Sequence, residues 1–254
     1  MLEVHPPEHT PHTWRDFFIH IATIVVGLLI AVALEQTVET IHRHHQRETL
    51  RESLNHESEQ MLRDCGRLEV AMTAEIKWHE QVDELLIAAA RQNQTITQLP
   101  PEPALSWDIP DVPVFKAAKA SNSLGLLTQQ EAEAYGEVSS LIDHLFLSYD
   151  HREDALRSQL TVQRELRFSQ PIPADAPRGS LNVHNERGFN SLVGLPLTGP
   201  QLKEIHQAVV RVEINSQELR YWSRQVRGAA TVMQQGERDL HKIEAAESQF
   251  DNLP

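Results

Sequence analysis

The side chains best suited to chemistry are histidines, of which there are 14. His5, His9 and His12 precede a long apolar run, and His42, His44 and His45 follow it. Two imidazoles at i, i+3 can begin a metal site, and His42 and His45 have that spacing, with Glu39 three residues before His42 on the same helical face. Glu39, His42 and His45 are therefore the candidate metal ligands. A site needs three or four ligands converging at about 2.0 to 2.3 Å from one ion. No HExxH and no paired Cys-x-x-Cys accompanies these three residues, so the commoner reading is a polar, weakly cationic collar. The first trio cannot join the second if the apolar run between them lies in lipid.

Acid pairs are the next place to look. Glu57 with Glu59, Glu131 with Glu133, and Glu244 with Glu247 have spacings that acid/base work or a di-metal carboxylate centre can use. Like Glu153-Asp154, they sit among Arg, Gln and Ser, and the simpler reading is a solvated helix face. No G-x-x-x-x-G-K-[ST], G-x-G-x-x-G or G-x-S-x-G occurs, so phosphate-loop, dinucleotide and hydrolase readings have no foothold, and no cofactor is implied. With 36 acids against 23 bases the formal charge is −13, which repels phosphates and argues against a nucleic-acid partner. Cys65 is the lone cysteine; it excludes an internal disulfide framework and, lying in an apolar stripe, reads as a small packed hydrophobe.

What positions these residues is dominated by one stretch, Phe17 to Leu34 (FFIHIATIVVGLLIAVAL), whose strongly polar members are His20 and Thr23. At about 1.5 Å per residue its 18 residues span about 27 Å, enough to cross a hydrocarbon core of roughly 30 Å once the interfacial turn from Trp14 is added. Trp14 and Arg15 mark one headgroup boundary and Glu35 the other. The expected order is a short polar tail over 1–16, a transmembrane helix over 17–35 and an acidic helical domain over 36–254. Two readings compete: a buried core helix, and a cleaved leader with Ala31-Val32-Ala33 as the small-x-small cleavage site. Against the leader, residues 1–16 carry one base, Arg15, and three acids, Glu3, Glu8 and Asp16. Gly27 and Ala31 form a small-xxx-small pair through which two such helices could approach, making a homodimer one partner option. Arg43, Arg47 and Arg51 outnumber Arg15 across the run, so the positive-inside rule places the large domain in the cytoplasm.

The string His5-Pro6-Pro7, His12-Thr13-Trp14-Arg15-Asp16-Phe17-Phe18-x-His20, Gly27-Leu28-Leu29-Ile30-Ala31, Leu34-Glu35 and Val38-Glu39 resembles the start of a family of uncharacterised bacterial single-pass membrane proteins. The resemblance covers roughly the first 45 residues. It implies an uncleaved anchor in the bacterial inner membrane, and carries no activity, cofactor or catalytic residue with it.

Beyond the run the pattern is helical throughout, and the expected fold class is all-α: an elongated bundle of about three long helices plus a short one. From Val38 to Gln94 there is no proline and one glycine, Gly66, which predicts a long helix over about 38–94. A partial heptad places Leu54, Met61, Leu68 and Val82 on one set of positions, with Glu75 interrupting, and Cys65, Met72, His79 and Leu86 four residues later, a coiled-coil-like face. Prolines 100, 101, 103, 110 and 113 make a crossover over 99–113. Trp107 within it reads as an anchor onto the bundle. A short helix over 114–123 follows. Thr128 and Glu131 have the form of a capping box and open a helix over 129–168. A second proline-rich crossover, 169–200, leads to a last helix over 201–249. Arg164, Arg167, Arg220, Arg224 and Arg227 are placed to meet acids of the first long helix.

These readings converge on a membrane-anchored interaction or scaffold protein without catalysis of its own, whose partners are the lipid bilayer and a protein. A ligand-sensing bundle, with a small molecule near Trp78, Trp107 or Trp222 and a separate output partner, is the alternative. An enzyme using the loop with His184, Asn185, Glu186 and Arg187 is the third.

Overall fold

A computed structural model describes residues 14–168, 193–194 and 197–234. The protein is all-α, and no strand occurs among the described residues. Its helices are α1 (Trp14–Gln92), α2 (Pro113–Ala120), α3 (Gln129–Phe168) and α4 (Gly199–Gln234), with a 3-10 turn at Ser123–Leu126. The first trio of histidines, the loop residues His184 to Arg187, Glu244, Glu247 and the expected helix beyond Gln234 lie outside the described residues, as does the Arg167 side chain.

The chain divides into two compact units, residues 1–52 and 53–254. The described part of the first is α1 alone, and every side chain from Trp14 to Gln46 is exposed. One window of α1 is long and apolar enough to cross a membrane, and none of it is buried. Leu28 and Leu34 are 65% and 63% exposed. Within it Thr23 Oγ1 donates to the Ile19 carbonyl at 2.9 Å, and just beyond it Thr37 and Thr40 donate to Ala33 and Gln36, each at 2.7 Å. A hydroxyl satisfied one turn back presents little unpaired polarity to an apolar surrounding. Trp14, Phe17 and Phe18 cluster at the start, with ring centroids 5.9 to 6.1 Å apart.

The second unit is a bundle of the Ser53–Gln92 part of α1 with α3 and α4. Buried positions repeat in the 3-4 heptad rhythm on each helix. On α4 they include Leu202, Ile205, Val209, Val212, Ser216, Leu219, Ser223, Val226, Ala230 and Met233. On α1 the run from Leu54 to Ala89 includes Glu75 and His79, which are 4% and 2% exposed. Glu75 therefore does not break the stripe; it is part of the core. Cys65 is fully buried, its thiol pushed up to about 12 by burial, so it packs as expected of a small hydrophobe. Between helices, Arg227 Nη1 donates to Glu69 at 2.9 Å, Arg220 Nη1 reaches Thr73 Oγ1 at 3.5 Å, and His206 Nδ1 pairs with Asp83. The expectation that α4 arginines meet acids on the first helix holds for Arg227. Arg164 is exposed.

Local sequence sets the ends. Asn93 adopts φ 52°, the left-handed conformation asparagine tolerates, and Gln94 N–H donates to the Ala89 carbonyl at 3.1 Å, which stops α1. Thr128 and Glu131 form the capping box: Thr128 N–H donates to Glu131 Oε2 at 2.8 Å and Glu131 N–H to Thr128 Oγ1 at 3.3 Å. At the start of α4 the Gln201 side chain reaches back instead, its Oε1 accepting from Thr198 N–H at 2.8 Å and from Thr198 Oγ1 at 3.0 Å. Pro200 falls in that first turn rather than in the preceding crossover, because a helix needs no proline N–H there. α2 begins and ends earlier than the sequence suggests, with Pro113 in its first turn and Ser121 as its C-cap.

The cap of α2 comes from far away. Its N-cap, Val112, supplies no side-chain bond; instead Glu57 of α1 accepts from Val114 N–H at 2.5 Å and Phe115 N–H at 3.3 Å. Glu57 is 8% exposed, not part of a solvated acid pair as its spacing to Glu59 suggests. Burial raises its pKa, against the two backbone bonds that lower it. Glu57→Ala is expected to cost about 1 to 3 kcal/mol, since it orphans two amide donors, the Phe115 N–H buried and the Val114 N–H partly so. Denaturant unfolding gives the loss, and amide exchange should quicken first at Val114 and Phe115.

Candidate functional site

The proline-rich connector, residues 93–112, is packed rather than looped out. Ile96, Leu99, Pro110 and Val112 are buried. Trp78 Nε1 donates to the Pro100 carbonyl at 3.0 Å. Trp107 sits edge-on to Tyr149 with centroids 5.8 Å apart, and the Arg152 guanidinium lies 5.5 Å from its ring centre. Trp107 thus anchors the crossover onto α3, as a lone tryptophan among prolines suggests.

Where this connector passes between α1 and α3 it leaves a cleft of about 310 Å³. At its base Arg152, 6% exposed, grips Glu75: Nη2 donates to Oε1 at 2.8 Å and to Oε2 at 2.7 Å, and Nε to Oε2 at 3.2 Å. Nη1 donates to Glu153 at 2.8 Å. Burial raises the Glu75 carboxyl above the ordinary carboxylate range; Arg152 opposes this, and Glu153 and Glu102 add to it. With its nitrogens committed to two carboxylates and its face on Trp107, the guanidinium is occupied as a lock between helices and is no anion receptor.

His79 lies one turn from Glu75. Its Nδ1–H donates to the Glu75 carbonyl at 3.0 Å, and its ring stands edge-on to Trp78 at 4.9 Å. Burial lowers its pKa from 6.5 to about 4, so the imidazole is neutral at neutral pH. Between those two values the unfolded chain binds a proton that the folded chain refuses. Stability from this group is therefore complete above about pH 6.5 and is lost as pH falls towards 4, by on the order of 3 kcal/mol. Glu57 and Glu75, raised by burial, have the opposite sign and blunt the lower part of that loss. Urea midpoints measured from pH 7 to pH 4 are expected to fall, most clearly in the upper part of the range, and His79→Gln is expected to flatten that slope.

The remaining polar groups of the cleft come from α3 and the connector. Gln159 is 4% exposed and its Oε1 is buried without a hydrogen-bond partner; Gln163, one turn on, holds Nε2 in the same condition. Glu102 is exposed at the mouth, and Arg157 pairs with Asp154 at 2.9 Å. Of the three tryptophans expected near a ligand, Trp78 lines the cleft and Trp107 backs Arg152, whereas Trp222 does not line it and stacks on His144 at 4.6 Å.

The metal candidates Glu39, His42 and His45 belong to the first unit's part of α1. Glu39 accepts from Arg43, His42 Nε2 contacts Gln46 Nε2 at 2.9 Å, and His45 is exposed with its carbonyl bonded to Thr49. Among the described residues, no group of three or more His, Cys, Asp or Glu side chains could hold a metal ion. Gln159 and the Glu75–Arg152 pair were invisible to spacing arguments. Their only sequence signal is polarity at positions where the heptad calls for apolar side chains. No protein-family model, curated protein or solved structure matches the chain.

Proposed function

We propose that the protein is a bacterial inner-membrane protein of the single-pass family its N-terminal string resembles. Residues Phe17 to Leu34 form its anchor, and the acidic bundle, on the cytoplasmic side, engages a protein partner as a scaffold. The reading rests above all on one observation: the apolar segment of α1 is entirely exposed. An 18-residue apolar surface of that kind is costly in water and at home in lipid. The in-helix bond of Thr23 supports it, because it lowers the polar load of the segment. Arg43, Arg47 and Arg51 support the orientation.

Crosslinking in intact membranes with identification of captured proteins tests the partner, and reporter fusions at the C-terminus test the orientation. Recovery of a soluble mature chain beginning at Leu34 would overturn the anchor. A second reading, a ligand-responsive bundle, is favoured by the cleft beside Trp78. The enzymatic reading rests on His184 to Arg187, which lie outside the described residues.

A further inference from the structure

We infer that α1 pairs in parallel with α1 of a second copy of this chain, along a seam running from His20 to Ile41. The inference rests on the anchor reading and deepens it by naming a partner. The seam lies wholly within the first unit. His20, Gly27, Leu34 and Ile41 recur every seven residues, with Ala31 and Val38 four residues after Gly27 and Leu34. That rhythm of 3.5 residues keeps two helices in contact at a left-handed crossing of about 20°.

Two independent features of that face call for a cover. Within the apolar run His20 is exposed and makes no hydrogen bond among the described residues, whereas Thr23, the run's other strongly polar side chain, is satisfied in its own helix. An imidazole in hydrocarbon is costly without a partner, and ionisable groups in spans therefore face another protein segment. Past the run, Val38 and Ile41 are 65% and 64% exposed and are the only apolar residues between Glu35 and Thr49. At about 1.5 Å per residue Ile41 stands about 10 Å beyond Leu34, outside a headgroup layer of roughly 5 to 8 Å, so lipid leaves it bare. Both ends of one stripe thus lack a cover, and Gly27 and Ala31 between them let a second backbone come close. A second copy fits by symmetry. Copies of one chain insert with one orientation and at one depth, so each seam residue meets its own counterpart. A neutral imidazole carries one N–H donor and one acceptor nitrogen, so His20 of one copy can donate to His20 of the other. The nearby charges stand off the seam, where Arg43 donates to Glu39 at 2.5 Å.

The test is oxidative crosslinking of single cysteine substitutions in the full-length chain in intact membranes, with carbonate washing of the same membranes. Cys65 stays in place, since it is fully buried. Val38→Cys and Ile41→Cys are expected to form disulfide-linked dimers about fivefold or more faster than Gln36→Cys and Thr40→Cys, which lie at similar depth on the opposite face. Gly27→Leu is expected to slow the Val38→Cys dimer about tenfold, because it holds the two backbones apart. A Cβ at Gly27 meets open space in the single chain, so that variant leaves the helix itself intact. His20→Leu is expected to slow it about threefold, the worth of one interhelical hydrogen bond in a membrane. Equal rates all round the helix, no dimer from Val38→Cys and Ile41→Cys, a maximum at Gln36→Cys and Thr40→Cys, or an unchanged rate with Gly27→Leu would each overturn the seam. Any of these in a chain that resists the carbonate wash removes the dimer and leaves the anchor standing; a chain released by the wash overturns both.

Discussion

Arg152→Ala is expected to lower the unfolding free energy of the bundle by about 3 to 5 kcal/mol, a large part of what a domain of this size possesses. Three costs coincide. The Glu75 carboxylate, 4% exposed, loses the bidentate partner that compensates its burial. Glu153 loses a bond, and Trp107 loses the cation under its ring. The pair itself is a weak net stabiliser, since desolvating two charges offsets most of their attraction. Glu75→Leu combined with Arg152→Met is therefore expected to recover most of the loss, through apolar packing at two heptad positions. Urea unfolding of Glu75→Leu, Arg152→Met and their double variant, followed by circular dichroism in detergent, gives the cycle, and Arg152→Ala is measured beside them. A loss below about 1 kcal/mol in Arg152→Ala would show that water reaches the carboxylate and that the lock is not buried.

The second large effect concerns the anchor. Val26→Arg with Leu29→Arg places two guanidinium groups near the middle of the apolar run, where an arginine costs about 2.5 to 3.5 kcal/mol against a small gain for the leucine or valine it replaces. The expected result is loss of the carbonate-resistant membrane fraction. Val70→Arg, at a bundle position 73% exposed, serves as the control and should leave fractionation unchanged. If the double variant stays in carbonate-washed membranes as well as the parent does, something other than Phe17 to Leu34 holds the chain there.

Legibility in the sequence followed the range of the physics. Features decided within one or two turns were readable: α3 runs from Gln129 to Phe168 as its capping box predicts, and Cys65 and Trp107 have the packing that their types and surroundings imply. Features decided by partners far along the chain were not. Glu75 looks like a flaw in the stripe because Arg152 is 77 positions away, and Glu57 looks like a surface acid because the amides it caps are 57 and 58 positions away. The orphaned oxygen of Gln159 is a property of packing between helices, and no local pattern encodes it. Helix ends at proline shifted by a few residues for a different reason, since proline interrupts a helix interior but is welcome in its first turn.

The pinned connector has a practical corollary for anyone manipulating this chain. Tags, protease sites and fluorescent insertions are usually spliced into proline-rich joints on the assumption that such joints tolerate disruption. Here Trp78 and Trp107 stitch that joint to its neighbours, with Ile96 and Leu99 tucked beneath. A splice between residues 93 and 112 would thus wedge open the interior, and the Asn122 turn, exposed and already left-handed, offers a gentler point of entry.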